Sequence, residues 1–215
     1  MEIFPPISLF GGNYKDNMKI YLLRHGEVEA KSKILYYGFL DLPLSEKGKK
    51  QMEKAGRYLL KDKIDIIYCS DLKRSRDSAE IISKILKNVI VKVEFNLREG
   101  NFGLWEGLTF DEIKAKYPEE LKLWLSDCIN FKVPQGESLK EVAERVKKCF
   151  CKIRKENEGK NILIVGHGGV NRIILCEILN LNLLNFYKIS QDYGALSLVE
   201  YFDNFPVLKF LNLHP

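Results

Sequence analysis

Two histidines flanked by glycine each come directly after a short apolar run of the chain. Arg24-His25-Gly26-Glu27 follows the run at residues 20–23, and Gly166-His167-Gly168-Gly169 follows the run at residues 162–165. Such runs are typical of buried strands, and in an open α/β sheet ligands bind at the carboxyl ends of the strands. An imidazole beside an arginine at that edge indicates a site for an anion and a histidine that reacts. Taken singly, the first segment also fits a solvated loop, and the second a buried core histidine.

A basic segment follows another apolar run and ends in Leu72-Lys73-Arg74-Ser75-Arg76. Arginines in the first turn of a helix oppose the helix macrodipole, so this placement is unfavourable unless an anion lies there. Arg74 and Arg76 point to different faces of the predicted helix, and we expect at most one of them to reach the site. The alternative is the basic first turn of a surface helix.

A glycine-rich loop at residues 97–107 contains the candidate carboxylates. Glu99 and Glu106 are both candidates for a general acid, and their spacing does not choose between them. Backbone N–H groups at the start of the helix that opens near Gly168 can hold a phosphate oxygen. His167 can donate a hydrogen bond to the same oxyanion.

The composition is that of an ordinary globular chain. Its 215 residues, 46% of them hydrophobic and 29% charged, are enough for one domain or at most two small ones. The net charge of +5 suits anionic small substrates, but the lysines are spread along the chain, so we expect no nucleic-acid partner. The five cysteines are odd in number and lack zinc spacing, which predicts reduced thiols and a cytoplasmic location.

The N-terminal segment is predicted to lie outside the domain. Residues 1–17 lack a basic start and a long apolar core, so we do not expect them to be a signal peptide. We expect them to be a leader that the fold does not need, either an over-long start or a packed arm, before a single domain at residues 18–215. No apolar run is long enough to span a bilayer, so we expect no membrane partner.

Strand-like and helix-like segments alternate along the chain. Short runs rich in Ile, Val, Leu, Tyr and Phe predict six strands, at residues 19–23, 64–69, 91–95, 161–165, 195–202 and 207–213. The first four look buried on both faces, as parallel strands are, and the last two look like an antiparallel hairpin. Helices are predicted at residues 45–60, 72–86 and 170–179, and two more begin at the capping boxes of Thr109 and Ser138. The predicted fold is an α/β three-layer sandwich, a mixed and mostly parallel six-stranded sheet with helices on both faces.

These segments, in this order and each after its own strand, resemble the histidine phosphatase superfamily, also called phosphoglycerate-mutase-like, over nearly all of residues 19–213. The family's Arg-His-Gly falls on Arg24-His25-Gly26, its second arginine on Arg74, its acid on Glu99 and its second histidine on His167. Any one of these motifs is weak evidence, whereas the whole set in order is very specific.

The resemblance implies a mechanism as well as a fold. His25 would attack the phosphorus of a phosphomonoester, and Glu99 would protonate the leaving group. The phosphoryl oxygens would be bound by Arg24, Arg74, His167 and the backbone at Gly168. The scheme requires no metal and no cofactor, and its partner is a small-molecule phosphomonoester. The oligomeric state is left open, with a homodimer as one option.

Within the superfamily the chain is more similar to phosphatases than to mutases. The stretch from Glu99 to His167 is short and holds only Arg145 and Arg154 as arginines, and Leu35 stands where mutases keep an arginine. Among the phosphatases it is most similar to the α-ribazole-5′-phosphate phosphatases of cobalamin nucleotide-loop assembly. Phosphoserine phosphatases and broad small-molecule phosphatases share much of the pattern. A phospho-ligand binding module without turnover is an alternative of a different class.

The leaving group would be selected by side chains near His25. Tyr36, Tyr37 and Trp105 could pack against a flat heterocycle, and Lys31 stands where the superfamily often has asparagine. The alternative role of these aromatic side chains is packing of their own loops, above all for Trp105.

Overall fold

The computed structural model describes residues 17–30, 35–202 and 204–215, in which a six-stranded sheet has the strand order β3-β2-β4-β1-β5-β6. Its strands are β1 (Asn17–Arg24), β2 (Ile66–Cys69), β3 (Val91–Val93), β4 (Ile162–Gly166), β5 (Leu196–Phe202) and β6 (Phe205–Leu213). The four strands β1, β2, β3 and β4 are parallel to one another, whereas β5 pairs antiparallel with both β1 and β6. The predicted mixed, mostly parallel sheet with a terminal hairpin is confirmed.

Six α-helices connect these strands within the described residues. They are α1 (Glu46–Leu59), α2 (Lys73–Ile85), α3 (Phe110–Lys116), α4 (Pro118–Ser126), α5 (Leu139–Glu156) and α6 (Gly168–Ile178). Ser45 caps α1 by accepting the N–H of Gly48, and both predicted capping boxes are formed, at Thr109 and at Ser138. None of the helices in the described part of the chain is long and apolar enough to cross a membrane.

Helices cover both faces of the sheet, because alternate residues of each strand point to opposite faces. Ile20 and Leu22 of β1 lie in a core cluster with Val146 of α5, and the residues between them, such as Tyr21, lie in a second cluster with Met52 of α1. The three-layer sandwich predicted from the sequence is therefore confirmed.

Two details differ from the predictions. β3 was expected to be buried on both faces, but Lys92 and Val93 are exposed, because β3 is the end strand of the sheet and pairs only with β2. Asn17 was assigned to the leader, but its backbone pairs with Phe202 in β1. Residues 1–16, the rest of that leader, lie outside the described residues.

The strand order brings the chemistry-bearing segments to one edge of the sheet. β4 lies between β1 and β2, with Arg24 opposite Gly166 and Cys69 opposite Val165. The chain therefore leaves these three neighbouring strands at the same edge, into the segments that contain His25, His167 and Arg74. This is the edge at which open α/β sheets bind ligands.

Candidate active site

A cavity of about 300 Å³ opens at this edge of the sheet, and we name it the histidine cavity. Seven residues that the sequence analysis singled out line it: Arg24, His25, Tyr36, Tyr37, Arg74, Glu99 and Gly168. Five further residues complete its wall: Leu35, Phe102, Gly169, Arg172 and Tyr193. Lys31, the remaining specificity candidate near His25, lies outside the described residues.

His25 is held in one orientation and in its neutral form. Its Nδ1 lies 2.8 Å from the carbonyl oxygen of Gly26, which can only accept, so Nδ1 carries the proton and Nε2 keeps its lone pair. Burial lowers the pKa of His25 well below its usual value, and the charges of Arg74 and Arg24 lower it further. Near neutral pH the ring is therefore uncharged, and Nε2 carries a lone pair that can act as a nucleophile.

Two arginines flank this imidazole. Arg24 donates from Nη1 to the carbonyl of Gln191 at 2.7 Å, and its guanidinium lies over the Tyr193 ring, 3.8 Å from the centroid. Arg74 is fully buried and donates to the carbonyls of Leu40 at 2.8 Å and Gly38 at 2.7 Å. The Nε of each arginine is buried and has no hydrogen-bond partner among the described residues. These N–H groups are suited to an oxyanion, because a buried donor without a partner is unfavourable.

His167 contacts His25 but is not among the residues that line the histidine cavity. The two rings meet edge to face with their centroids 5.1 Å apart, and His167 is fully buried. Its Nε2 lies 2.8 Å from Ser70 Oγ, which also accepts the N–H of Leu72 at 3.4 Å. The Ser70 hydroxyl can donate to Nε2 or accept from it, and we assign the first arrangement, which puts the ring proton on Nδ1. In this tautomer Nδ1 is a buried donor with no partner among the described residues, in a ring that contacts His25.

Protonation of His167 is disfavoured for the same reasons as that of His25. Burial lowers the pKa of His167 well below its usual value, and the charge of Arg74 and the neighbouring His25 lower it further. The pair can therefore supply a neutral nucleophile and a neutral hydrogen-bond donor side by side.

The structure distinguishes the two glutamates that the sequence left as alternatives. Glu99 lines the histidine cavity, and its Oε2 accepts the N–H of Gly169 at 2.8 Å. Glu106 does not line it. The carboxylate of Glu106 accepts the backbone N–H groups of residues 38–40 and 102, at distances between 2.8 and 3.0 Å. Glu106 thus anchors the loop whose carbonyls accept hydrogen bonds from Arg74, and of the two carboxylates only that of Glu99 lines the histidine cavity.

A second, more apolar cavity of about 210 Å³ adjoins the first on the side of Glu99, and we name it the aromatic cavity. The two cavities share Tyr36, Glu99, Phe102, Gly169 and Arg172. Large apolar side chains form much of the rest of its wall: Trp124, Phe131, Leu139, Val142, Ile173, Phe186 and Tyr187. Together the two volumes fall in the range of about 300–1,000 Å³ that is usual for small-molecule sites.

Trp105 lines neither cavity, so its proposed contact with the substrate requires correction. Its indole is fully buried in a separate core cluster, stacked on Phe131 and edge to face with Tyr36 and Trp124. The alternative role, packing of its own loop, is the one that these contacts fit. Trp105 supports the residues that face the aromatic cavity without reaching it.

The sequence analysis assigned no individual role to several residues of the site, among them Gly169, Arg172 and Tyr193. Gly169 and Arg172 lie in the first turns of α6, and Arg172 is held by its Nε donating to the carbonyl of Ile189 at 2.7 Å. Their closeness to His167 along the chain was the signal that could have found them. Tyr193, whose hydroxyl is hydrogen-bonded to that of Tyr37, lies in a loop before β5 with no motif to mark it.

No group of three or more His, Cys, Asp or Glu side chains is arranged to hold a metal ion in residues 17–30, 35–202 and 204–215. The donors that surround the histidine cavity are instead guanidinium, imidazole and backbone N–H groups. Such groups bind anions, and phosphate oxygens in particular.

Known proteins share this fold and much of this sequence. The chain is 32% identical over 196 residues to phosphoserine phosphatase 1 of Hydrogenobacter thermophilus, covering 91% of this chain and 92% of that protein. It is 28% identical over 195 residues to the adenosylcobalamin/alpha-ribazole phosphatase of Salmonella typhimurium, covering 91% and 96%. The crystal structure of the alpha-ribazole phosphatase from Shigella flexneri superposes with a TM-score of 0.85 at 25% identity, covering 92% of this chain and 97% of that one. The model of the histidine phosphatase superfamily (branch 1) matches residues 20–214, and the chain therefore belongs to that superfamily and is an enzyme of the phosphatase class.

Proposed function

We propose that this enzyme hydrolyses phosphomonoesters through a phosphohistidine formed on Nε2 of His25. The Nε2 lone pair attacks the phosphorus while the bond from phosphorus to the leaving oxygen breaks, so the phosphoryl group passes to the imidazole. The hydrogen bond from Nδ1 to Gly26 and the lowered pKa of the ring support this step, because both keep Nε2 unprotonated near neutral pH.

Fixed donors around His25 stabilise the charge that develops on the three equatorial oxygens. Arg24 and Arg74 supply permanent charge, and Nδ1 of His167 supplies a neutral N–H. These groups are already in place before the reaction, so little reorganisation is needed as the transition state forms. Arginine suits this task better than lysine because its planar fork can bind two oxygens at once.

Glu99 is the acid that completes the reaction. Protonated, it donates its proton to the leaving alkoxide. As a carboxylate it then takes a proton from the water that attacks the phosphohistidine, which returns His25 and releases inorganic phosphate. The position of Glu99 between the two cavities supports this role, because the leaving group must depart on the side away from His25.

The substrate that we propose is α-ribazole 5′-phosphate, of cobalamin nucleotide-loop assembly. The observation that carries this choice is the aromatic wall of the cavity beyond Glu99, where Tyr36, Trp124 and Phe186 offer faces and edges to a flat heterocycle. The likeness to relatives named adenosylcobalamin/alpha-ribazole phosphatase agrees with it. The five cysteines, all unpaired, fit the reducing cytoplasm in which we place the enzyme.

Phosphoserine is the second candidate substrate, and Arg172 favours it. The guanidinium of Arg172 is half-buried where the two cavities meet, and it could pair with the carboxylate of an amino-acid leaving group. The relative at 32% identity is named a phosphoserine phosphatase. A mutase is less well supported, because Leu35 in the cavity wall offers no cation to a second acidic group.

A panel of phosphomonoesters tests the proposal. We expect kcat/KM for α-ribazole 5′-phosphate to exceed that for phosphoserine and for 3-phosphoglycerate by at least about 100-fold, since a filled apolar cavity contributes a few kcal/mol. Faster turnover of phosphoserine than of α-ribazole 5′-phosphate would overturn the choice of substrate. The absence of turnover on every ester, p-nitrophenyl phosphate included, would instead leave only a binding module.

A matched pair of variants tests the place of the leaving group. Tyr187 lines the aromatic cavity and is 55% exposed, and Leu184 lies on the same 3-10 helix (Leu183–Lys188) at 70% exposure without lining it. We expect Tyr187→Ala to raise KM for α-ribazole 5′-phosphate about tenfold and to leave p-nitrophenyl phosphate unchanged. Leu184→Ala should change neither substrate. Equal effects of the two variants would place the leaving group elsewhere.

A further inference from the structure

Arg145 of α5 binds the loop that contains Glu99 without lining either cavity. Its Nη1 donates to the carbonyls of Asn96 at 3.0 Å and Arg98 at 2.8 Å, and its Nη2 donates to the carbonyl of Glu99 at 2.8 Å. One guanidinium thus donates hydrogen bonds to three carbonyl oxygens within the four successive residues 96–99. Asn96 lies in a short 3-10 turn at Phe95–Leu97, and Arg98 and Glu99 follow it, before the next regular element begins at Gly103.

Glu137 orients this guanidinium and adds hydrogen bonds to the backbone on the other side of Glu99. Arg145 donates to Glu137 from Nε at 2.7 Å and from Nη2 at 2.9 Å. The same carboxylate accepts the N–H of Asn101 at 2.9 Å, and the N–H of Glu137 donates to the carbonyl of Asn101 at 2.8 Å. The pair therefore holds the backbone on both sides of Glu99.

All five N–H donors of Arg145 are used in this arrangement. Its side chain is 18% exposed and that of Glu137 is 21% exposed, so the pair is largely shielded from water. A lysine has three donors on a single point and cannot reproduce the planar fork. The contacts are thus specific for arginine and are directed at one loop.

We propose that Arg145, held by Glu137, is a positioning residue for Glu99. It fixes the backbone of residues 96–101 so that the Glu99 carboxyl stays at the junction of the two cavities, within reach of the Gly169 N–H. This inference rests on the acid role proposed for Glu99. Arg145 itself touches neither the phosphoryl group nor the leaving group.

Leaving-group dependence separates this role from a general loss of structure. An alkyl phosphate needs a proton on its leaving oxygen, whereas p-nitrophenolate leaves without one. We expect Arg145→Lys to lower kcat for a serine or glycerol phosphate about 10- to 100-fold, part of the contribution of a general acid. With p-nitrophenyl phosphate the loss should stay within about threefold, because the acid is not needed there. An equal loss on both classes of ester would overturn the proposal.

A matched control and a second variant keep the test decisive. Arg154→Lys makes the same change on the same helix, at a residue that contacts Tyr201 and Asn204 away from both cavities, and it should leave both activities unchanged. If Arg145→Lys does not fold, as judged by its unfolding transition, Glu137→Gln takes its place, and it is compared by kcat at saturating ester because Glu137 also lines the aromatic cavity. We expect that variant to show the same dependence with a smaller amplitude, and a uniform loss would contradict the proposal.

Glu99→Gln distinguishes a failure of this inference from a failure of the proposed function. We expect Glu99→Gln to show the full leaving-group dependence and Arg145→Lys to add little to it, because both changes act on one step. If Glu99→Gln shows the dependence and Arg145→Lys does not, the positioning role is wrong. If Glu99→Gln shows none, the acid role of Glu99 is wrong.

Discussion

The carboxylate of Glu99 accepts a hydrogen bond from the backbone N–H of Gly169 at 2.8 Å, two residues beyond His167. The contact is so close that a side chain at residue 169 has no room. A Cβ atom built on Gly169 would lie 2.4 Å from Oε1 of Glu99 and 3.2 Å from its Cδ. The loop that contains Glu99 and the segment that follows His167 are therefore packed tightly together, and the position of each depends on the other.

Gly169→Ala is expected to displace the acid and to lower activity. We predict a loss of kcat of about 10- to 100-fold on an alkyl phosphomonoester, because a misplaced general acid forfeits much of its contribution. Gly168→Ala is the matched change one residue earlier, where the new Cβ would lie at an ordinary distance of 3.5 Å from Arg24 Cζ. It should cost clearly less. Equal kcat values for the two variants would show that Glu99 does not need its present position.

Glu106→Gln and Glu99→Gln should fail in different ways. Glu106 accepts four backbone N–H groups, so its loss of charge should lower the free energy of unfolding by about 1–3 kcal/mol. Because the carbonyls of residues 38 and 40 also accept hydrogen bonds from Arg74, we expect Glu106→Gln to weaken the binding of inorganic phosphate as well. Glu99→Gln should lower kcat with little change in stability. Urea unfolding and phosphate titration of both variants check this, and exchanged behaviour would reverse the two roles.

The free energy of unfolding is predicted to decrease as the pH is lowered, because both site histidines are held neutral in the folded state. Burial and the nearby Arg74 keep the pKa of His25 and of His167 well below their usual value, whereas in the unfolded chain each titrates at about 6.5. Below that pH the unfolded chain binds more protons than the folded one. The free energy of unfolding should then fall by up to about 1.4 kcal/mol per pH unit for each histidine.

Urea unfolding between about pH 7.5 and pH 5, in buffers without phosphate, measures this slope. Carboxylates such as Asp71, whose pKa is lowered by its pair with Arg98, lose their contribution only in more acidic solution, below about pH 4. His167→Asn should remove the share of one histidine. A slope of zero in the unmodified enzyme would mean that the site histidines take up protons as readily in the folded state as in the unfolded chain.

Much of the site could be predicted because the motifs follow strands that are neighbours. The apolar runs before His25, Arg74 and His167 predicted three strands, and the parallel order β2-β4-β1 brings their carboxyl ends together. Local signals were equally informative for the helices, since Ser45, Thr109 and Ser138 each cap the helix that the sequence predicts. In each case the deciding interaction is local or follows from the rules of strand connection.

The remaining features depend on contacts between distant segments. Spacing could not choose between Glu99 and Glu106, because the partners of Glu106 lie up to 68 residues away, and only the family resemblance placed the acid on Glu99. Tyr193 reaches Arg24 from the other end of the chain, and the exposure of β3 follows from which strand ends the sheet. Trp105 looked like a substrate contact because it lies close to Glu99 in sequence, yet its ring turns into a core cluster.

The most direct test of the account is to locate the phosphoryl group on the enzyme. Labelled substrate is mixed with the enzyme, the reaction is quenched in alkali, and the modified peptide is mapped. We predict a phosphoenzyme that is stable in alkali, labile in acid and lost in His25→Asn. The label should be on Nε2 of His25, because Nδ1 donates to the carbonyl of Gly26. A label on Nδ1, a label that persists in His25→Asn, or turnover without any phosphoenzyme would contradict it.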